Sequence, residues 1–323
     1  MKRRHIIYLA GAGVASALAL PAAAQTWPER PIRMIVPFPA GGATVILTRA
    51  LSQKLGEKIG QTVVVENRPG AGGTIGAEAV ARALPDGYTL LLSTSSTHSI
   101  APAINPKIPY NAETDFTPIG HVASAPNVVL VPVSSPAKTM REFIDYARSN
   151  PGKLNYASSG NGTIVNLTTE YFKAASGTFI LHIPYRGTAL AIPDLVSGKL
   201  DLLIDSLVTG LPHVKDGKLR ALGVTSFQRT PLAPELPAVA EVLPGFESTT
   251  WFGIYGPKGL PADVALKLNG ALNAALNDAD VKERFARLGA EPTGGTPAAF
   301  AAMVRADTGK WKKIITERKI TAE

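Results

Sequence analysis

The chain has 323 residues, 45% of them hydrophobic, a formal net charge of +8 and no cysteine. Without cysteine there is no disulfide to staple an exported chain and no lipidated cysteine to anchor it, so a hydrophobic core must carry the fold. Lys and Arg are scattered, with no basic run beyond the N-terminus; this argues against nucleic-acid binding and leaves a modest attraction for anionic ligands.

Residues 1–24 read as a secretory signal peptide. Lys2, Arg3 and Arg4 open it, Ile6 to Leu20 is its apolar part, and Ala22, Ala23 and Ala24 form a small-residue cleavage site. The Arg3-Arg4 pair lacks the residues that normally follow a twin-arginine signal, which favours the ordinary export route. Three of the eight net charges lie in this segment, so a mature chain starting at Gln25 carries about +5. No other segment approaches transmembrane length. The expectation is a periplasmic protein of about two domains, with no membrane insertion after processing.

Ile32 to Val36 is an apolar strand, and Leu47, Leu51, Leu55 and Ile59 form one stripe of a helix. Between them lie Phe38, Pro39, Ala40, Gly41, Gly42, Ala43 and Thr44. With Thr44 read as N-cap, free backbone N–H groups and the helix dipole converge there on a point suited to a small anion. The same glycines also serve a plain strand-to-helix turn. Thr62 to Glu66 is a β-branched strand, and Asn67 to Gly73 turns into a helical stretch from Ile75 to Ala83. The turn fails as a dinucleotide loop, because Ile75 stands where the third glycine belongs and no acidic residue ends a strand about twenty residues on.

After the strand Tyr88 to Leu92 comes a hydroxyl-rich run, Ser93 to His98, at the strand end that faces the crevice in open α/β sheets. It reads equally as a carboxylate-binding loop, through Ser93, Thr94, Thr97 and His98, or as a solvated one. Phe116 to Ile119 and Asn127 to Val133 are extended. A second α/β unit then begins: Thr139 caps a helix to Ser149, and Asn155 to Ala157 is a strand. The strand opens into Ser158, Ser159, Gly160, Asn161, Gly162 and Thr163 before a helix to about Ala175. Further strands are Ile180 to Ile183, Asp201 to Ile204 ending on Asp205, and Leu219 to Thr225. Tyr185, Arg186 and Gly187 precede a helix to Val196. Repeated strand–helix–strand order implies parallel α/β sheets with right-handed crossovers. Two Gly-and-hydroxyl loops in separate units suggest two lobes facing one cleft. Trp251 to Gly256 is an aromatic extended run placed in the core rather than under the cleft, and the tail is helical from Ala262 to Leu276 and again from Thr296.

Enzymatic signals are weak. His98, His121, His182 and His213 are not spaced as a zinc pair, and no cofactor or metal is expected. Ser158-Ser159-Gly160 lacks the glycine that precedes a hydrolase nucleophile. Asp205 suits a structural carboxylate or a partner for a ligand amine better than a general base.

A series of ordered motifs is more specific. Pro37 to Gly42, Val65 to Gly73, Pro85 to Leu90, Pro151 to Ser158, Pro184 to Gly187 and Gly217 to Leu222 resemble the Bug (Bordetella uptake gene) or TctC family. These are periplasmic solute-binding proteins of tripartite tricarboxylate transporters, and the resemblance spans essentially the whole mature chain. It implies a two-lobed, type II-like periplasmic-binding-protein fold, each lobe a mostly parallel sheet flanked by helices. Residues 25–124 plus 225–323 would form lobe 1 and 125–224 lobe 2, hinged by strands near 123–131 and 219–226. It further implies a small organic anion as ligand, membrane transporter subunits as partners, and a monomer. The Phe38–Thr44 and Ser158–Thr163 loops would grip a carboxylate from opposite lobes, with the Ser93–His98 run, Tyr185, Arg186, Gly187 and Asp205 also in the cleft. Three positions depart from the family pattern: Val45 replaces the usual Asp, Asn166 a common His, and Arg186 the commoner Lys. The loss of the acid at Val45 is read as a more apolar cleft, favouring an aromatic or chlorinated acid over citrate. A sensor that presents its closed form to a histidine kinase, or less readily a periplasmic hydrolase, would share this fold.

Overall fold

The structure, a computed structural model, describes residues 27–321, so the signal peptide read at residues 1–24 lies outside the described residues. In the N-terminal part, strands β1 (Ile32–Val36), β2 (Val63–Asn67) and β3 (Thr89–Thr94) alternate with helices α1 (Ala43–Ile59) and α2 (Thr74–Ala81). A π-helical turn, Ser96–Ile100, and a short helix α3 (Ala101–Ile104) lead to the long strand β4 (Phe116–Pro132). The middle of the chain supplies α4 (Met140–Ser149), β5 (Asn155–Ser158), α5 (Ile164–Ser176), β6 (Leu181–Pro184), α6 (Thr188–Val196), β7 (Leu202–Ser206), α7 (Leu207–Lys215) and β8 (Leu219–Val224). The last part holds β9 (Thr249–Pro257), α8 (Ala262–Leu276), α9 (Ala279–Arg287), β10 (Glu291–Pro292) and α10 (Pro297–Arg318).

β4 belongs to both halves. Its first part, Phe116 to Pro126, pairs antiparallel with β9, and from Asn127 onward it pairs instead with β7 and β8. The strand order β2-β1-β3-β9-β4-β7-β5-β6 thus joins two parallel groups, β2-β1-β3 and β7-β5-β6, through antiparallel β9 and β4. Helices flank both halves. This is the two-lobed α/β architecture expected from the motifs, with antiparallel β9 and β4 joining the parallel strands of the two lobes.

Strand alternation sorts the side chains of the first lobe onto two faces. Ile32, Met34 and Val36 of β1, with Leu90 and Leu92 of β3, pack against α1, α8 and α9. Ile35 and Leu91 face the other way, toward Trp251, Tyr255, Phe300 and Val304. Val45 is 1% exposed within the first of these cores, so its side chain is packing and not cleft wall. The apolar cleft inferred from Val45 therefore needs another basis.

The second lobe's core contains Val128 to Val131, Phe143, Tyr156, Phe172 and Ile204. It also takes in Ala233, Leu236, Val239 and Phe246, together with Trp311 of α10. The segment after residue 225 therefore packs first with lobe 2. Helix α10 carries Phe300 and Val304 into one core and Trp311 into the other.

Candidate functional site

Each lobe presents strand ends and helix starts to a common cleft, which holds about 490 Å³ of free space including its mouth. From the first lobe come Phe38, Pro39, Gly42, Ala43 and Thr44 on the β1–α1 loop, Thr94 and Ser96 after β3, and Thr250 and Phe252 on β9. From the second come Ser159, Ile164 and Val165, then Gly187, Thr188 and Ala189, then Asp205 and Ser206.

Four helices begin at this cleft: α1, α5, α6 and α7. Their first N–H groups lack intrahelical partners and bring partial positive charge to one place. The four are not equivalent. α5 and α7 are capped by their own hydroxyls, Thr163 accepting from Asn166 N–H and Ser206 accepting from Val208 N–H. α1 and α6 begin at Gly42 and Gly187, with no side-chain cap. Thr44 is thus the second residue of α1 and not its N-cap, and the free donors are those of the first turn.

These two uncapped starts face each other across the lobes. A Cβ on Gly41 would lie 2.8 Å from the Ala189 Cβ, and one on Gly187 would lie 2.4 Å from the Pro39 Cγ. Behind the first loop, the Asn67 side-chain amide donates to the Phe38 carbonyl at 2.8 Å. Gly73, at φ +98°, leaves room for the Phe38 ring, whose Cζ would lie 3.0 Å from a Cβ there. That close approach accounts for the glycine-rich turn that fails as a nucleotide motif.

Among the described residues no Lys, Arg or His lines the cleft, and Asp205 is the single ionisable one that does. Its carboxylate accepts from Ser206 N–H at 2.8 Å, from the Thr209 hydroxyl at 2.5 Å and from the Thr188 hydroxyl. Burial pushes its pKa up, against the pull of these three donors. Engaged in this way, Asp205 ties the start of α6 to β7 and α7.

Among the residues singled out from the sequence, Phe38, Gly42, Ala43, Thr44, Thr94, Ser159, Gly187 and Asp205 line the cleft. The remaining ten do not. Ala40, Gly41, Asn161 and Arg186 are exposed and are not part of the lining. Ser158 is buried, bonded to His182 Nε2 at 2.7 Å and accepting from Gly160 N–H, so it braces its loop from behind. Thr163 is the α5 cap, and Tyr185 donates to Asp194 at 2.7 Å. Asn166 also braces that loop: its Oδ1 accepts from Gly162 N–H, and its amide donates to the Tyr156 hydroxyl.

Ser93, Thr97 and His98 form a buried group in which His98 Nδ1 lies 2.8 Å from the Ser93 hydroxyl. The His98 ring stacks on Tyr255 at 4.2 Å and meets Phe116 edge-on at 4.5 Å. Burial lowers the pKa of His98 to about 3, and of His121 in the same lobe to about 4. Both stay neutral in the fold at pH values where an unfolded histidine, with pKa near 6.5, takes up a proton, so stability falls as pH drops below 6.5. Between pH 7 and pH 5 each histidine removes about 2 kcal/mol. Urea unfolding at the two pH values measures this loss, and a flat profile would contradict it.

Sequence reading missed Pro39, Ser96, Ile164, Val165, Thr188, Ala189, Ser206, Thr250 and Phe252. Pro39 and Ser96 sat within flagged runs. Ile164, Val165, Thr188 and Ala189 immediately follow flagged loops, where helix N-termini were the available signal. Phe252 belongs to the aromatic run assigned to the core: Trp251 does pack there, but Phe252 reaches the cleft as well. Among the described residues no three of His, Cys, Asp and Glu lie close enough to hold a metal, and no helix is long and apolar enough to cross a membrane.

Two α/β lobes meeting on a cleft of helix N-termini and hydroxyls are the architecture of a solute-binding protein. The chain belongs to the TctC family, described as the tripartite tricarboxylate transporter family receptor, whose model matches residues 47–320. It is 36% identical to protein BugT of Bordetella pertussis over 96% of this chain and 95% of that one. The periplasmic binding protein BugD superposes with a TM-score of 0.88 at 37% identity, covering 92% of this chain and 100% of its own. Rpa4515 of R. palustris, solved with adipate, gives a TM-score of 0.89 at 35% identity, covering 91% and 99%. The protein is a periplasmic solute-binding protein of a family that takes small carboxylates and works with transporter subunits, as its motifs led us to expect.

Proposed function

We propose that the cleft captures a small carboxylic acid with an apolar, aromatic body and delivers it to the membrane subunits of a tripartite tricarboxylate-type transporter. The observation that carries this reading is the composition of the lining: uncapped helix starts at Gly42–Thr44 and Gly187–Ala189, hydroxyls, and apolar Phe38, Phe252, Ile164 and Val165, without one cationic side chain among the described residues. Backbone N–H groups suit one carboxylate and still permit release, because they avoid the heavy desolvation of a buried guanidinium. The two rings and two branched side chains favour a flat apolar body. A tricarboxylate such as citrate would leave carboxylates beside Asp205 with no cation to meet them. The related protein solved with adipate supports an acid of this size. Chlorinated ring acids fall in the same class.

Titration calorimetry tests the reading with benzoate, chlorobenzoate, muconate and citrate. We expect the ring acids to bind at least about 10-fold tighter than citrate, a difference of about 1.4 kcal/mol. Tight citrate binding with no heat from the others would overturn it.

A further inference from the structure

Ser96 opens the π-helical turn at the end of β3, in the first lobe, and is 1% exposed. Its hydroxyl accepts the N–H of Ile164 at 3.0 Å. Ile164 is the first residue of α5, in the second lobe. A residue of one lobe therefore satisfies a helix-start donor of the other, in the floor of the cleft that both residues line.

The turn that carries Ser96 is held to its own lobe through Ser95, Ser96 and Thr97, while its last residue, Ile100, packs in the second lobe's core and α10 joins both. Ser96 N–H donates to the Thr94 hydroxyl at 3.1 Å, and the Ser95 hydroxyl accepts from Trp251 N–H at 3.1 Å. The Thr97 carbonyl accepts from the Tyr110 hydroxyl at 2.8 Å, and the His98 carbonyl from the Thr308 hydroxyl of α10 at 3.4 Å. On the facing side, Thr163 is already engaged with Asn166 N–H and the Gly160 carbonyl, so it does not serve Ile164. If the lobes part, Ser96 moves with lobe 1 and the Ile164 N–H passes to water.

We propose that Ser96 is a closure-positioning residue: it caps α5 across the cleft only when the lobes are together, and so favours the closed conformation whatever the ligand's distal chemistry. This deepens the binding reading above, since it rests on lobe closure around a ligand. It also reassigns α5, whose first N–H meets a protein hydroxyl, and leaves α1 and α6 as the free carboxylate donors.

One net hydrogen bond changes a conformational equilibrium roughly 3- to 10-fold. The test uses the full mature chain. Because the sequence holds no native cysteine, spin labels can be placed through Arg82→Cys on the first lobe and Asp145→Cys on the second, both exposed. Pulsed electron-resonance distances are then compared in ligand-free protein with and without Ser96→Ala. We expect the short-distance population to fall about 5-fold relative to the long one. Benzoate, chlorobenzoate and muconate, for those the parent protein binds, should weaken by one common factor through faster dissociation. An unchanged distance distribution overturns the proposal, and so does a loss confined to one ligand, which marks a direct contact instead. The distance measurement needs no bound ligand, so failure of the ligand class and failure of the Ser96 assignment give different results.

Discussion

Gly187→Ala should cut carboxylate affinity about 100-fold while leaving the ligand-free protein folded. Gly187 stands at φ +128°, a region that residues with a side chain rarely occupy, so alanine carries backbone strain of order 1–3 kcal/mol in any conformation that keeps this turn. A second cost arises only on closure. The new Cβ would lie 2.4 Å from the Pro39 Cγ, on a ring that cannot swing aside as a long side chain would. Pro39 belongs to the first lobe and Gly187 to the second, so the clash vanishes when the lobes separate. The closed form is therefore penalised relative to the open one, and ligand affinity falls by the same factor as the closure equilibrium. A differential of about 2.7 kcal/mol corresponds to the 100-fold loss. Calorimetric titration reads the affinity, and thermal melting without ligand reads the fold. Affinity within about 3-fold of the parent protein would show that Pro39 and Gly187 do not meet in the bound state.

That close contact also illustrates how much of the site the sequence made visible. Local signals worked where one segment decides its own structure. Thr139 caps α4 as the pattern implied, with Glu142 completing a capping box that the structure adds, and Thr296 caps α10. Gly41 and Gly187 were flagged as cleft glycines, but only the fold pairs each with a residue of the opposite lobe. Helix α7 went unread because Gly210 and Pro212 interrupt its pattern. Gly210 is explained by packing, since a Cβ there would lie 2.5 Å from Val128 Cγ1. The run Ser93 to His98 reads equally as a carboxylate-binding loop or a solvated one, yet it is buried, passes into a π-helical turn, and its hydroxyls bond within the protein. Val45 misled in the opposite direction: it stands beside the anion-binding loop in sequence, but the helical period turns its side chain into the core. Thr250 and Phe252 reach the cleft through antiparallel pairing of β9 with β3 and β4, a long-range fact with no local signature.

The same pairing creates the second large effect. Asn127 is where β4 exchanges β9 for β7 and β8, and it is 1% exposed. Its backbone N–H donates to the Thr225 hydroxyl at 2.9 Å, and its carbonyl accepts from Thr225 N–H at 2.8 Å. Its side-chain amide donates to the Ser248 carbonyl at 3.3 Å, and its Oδ1 accepts from the Thr250 hydroxyl at 2.8 Å. The Ser248 hydroxyl in turn lies 2.6 Å from that of Thr168 on α5. One buried amide thus links both strands that cross between the lobes, the cleft-lining Thr250 and the helix whose start meets Ser96. Asn127→Ala strands the Thr250 hydroxyl in the interior, at about 1–3 kcal/mol, and removes one of two donors to the Ser248 carbonyl, which keeps the Thr225 hydroxyl. We expect about 3 kcal/mol less stability in urea unfolding. Ligand affinity should fall as well, because Thr250 loses its orientation in the cleft. A double-mutant cycle with Thr250→Val separates this bond from general damage: if the Asn127–Thr250 bond matters, the valine costs at least about 1 kcal/mol less in the Asn127→Ala background than alone. Strict additivity would mean that the two side chains act independently, and that the strand crossing is held by its backbone pairing to Thr225.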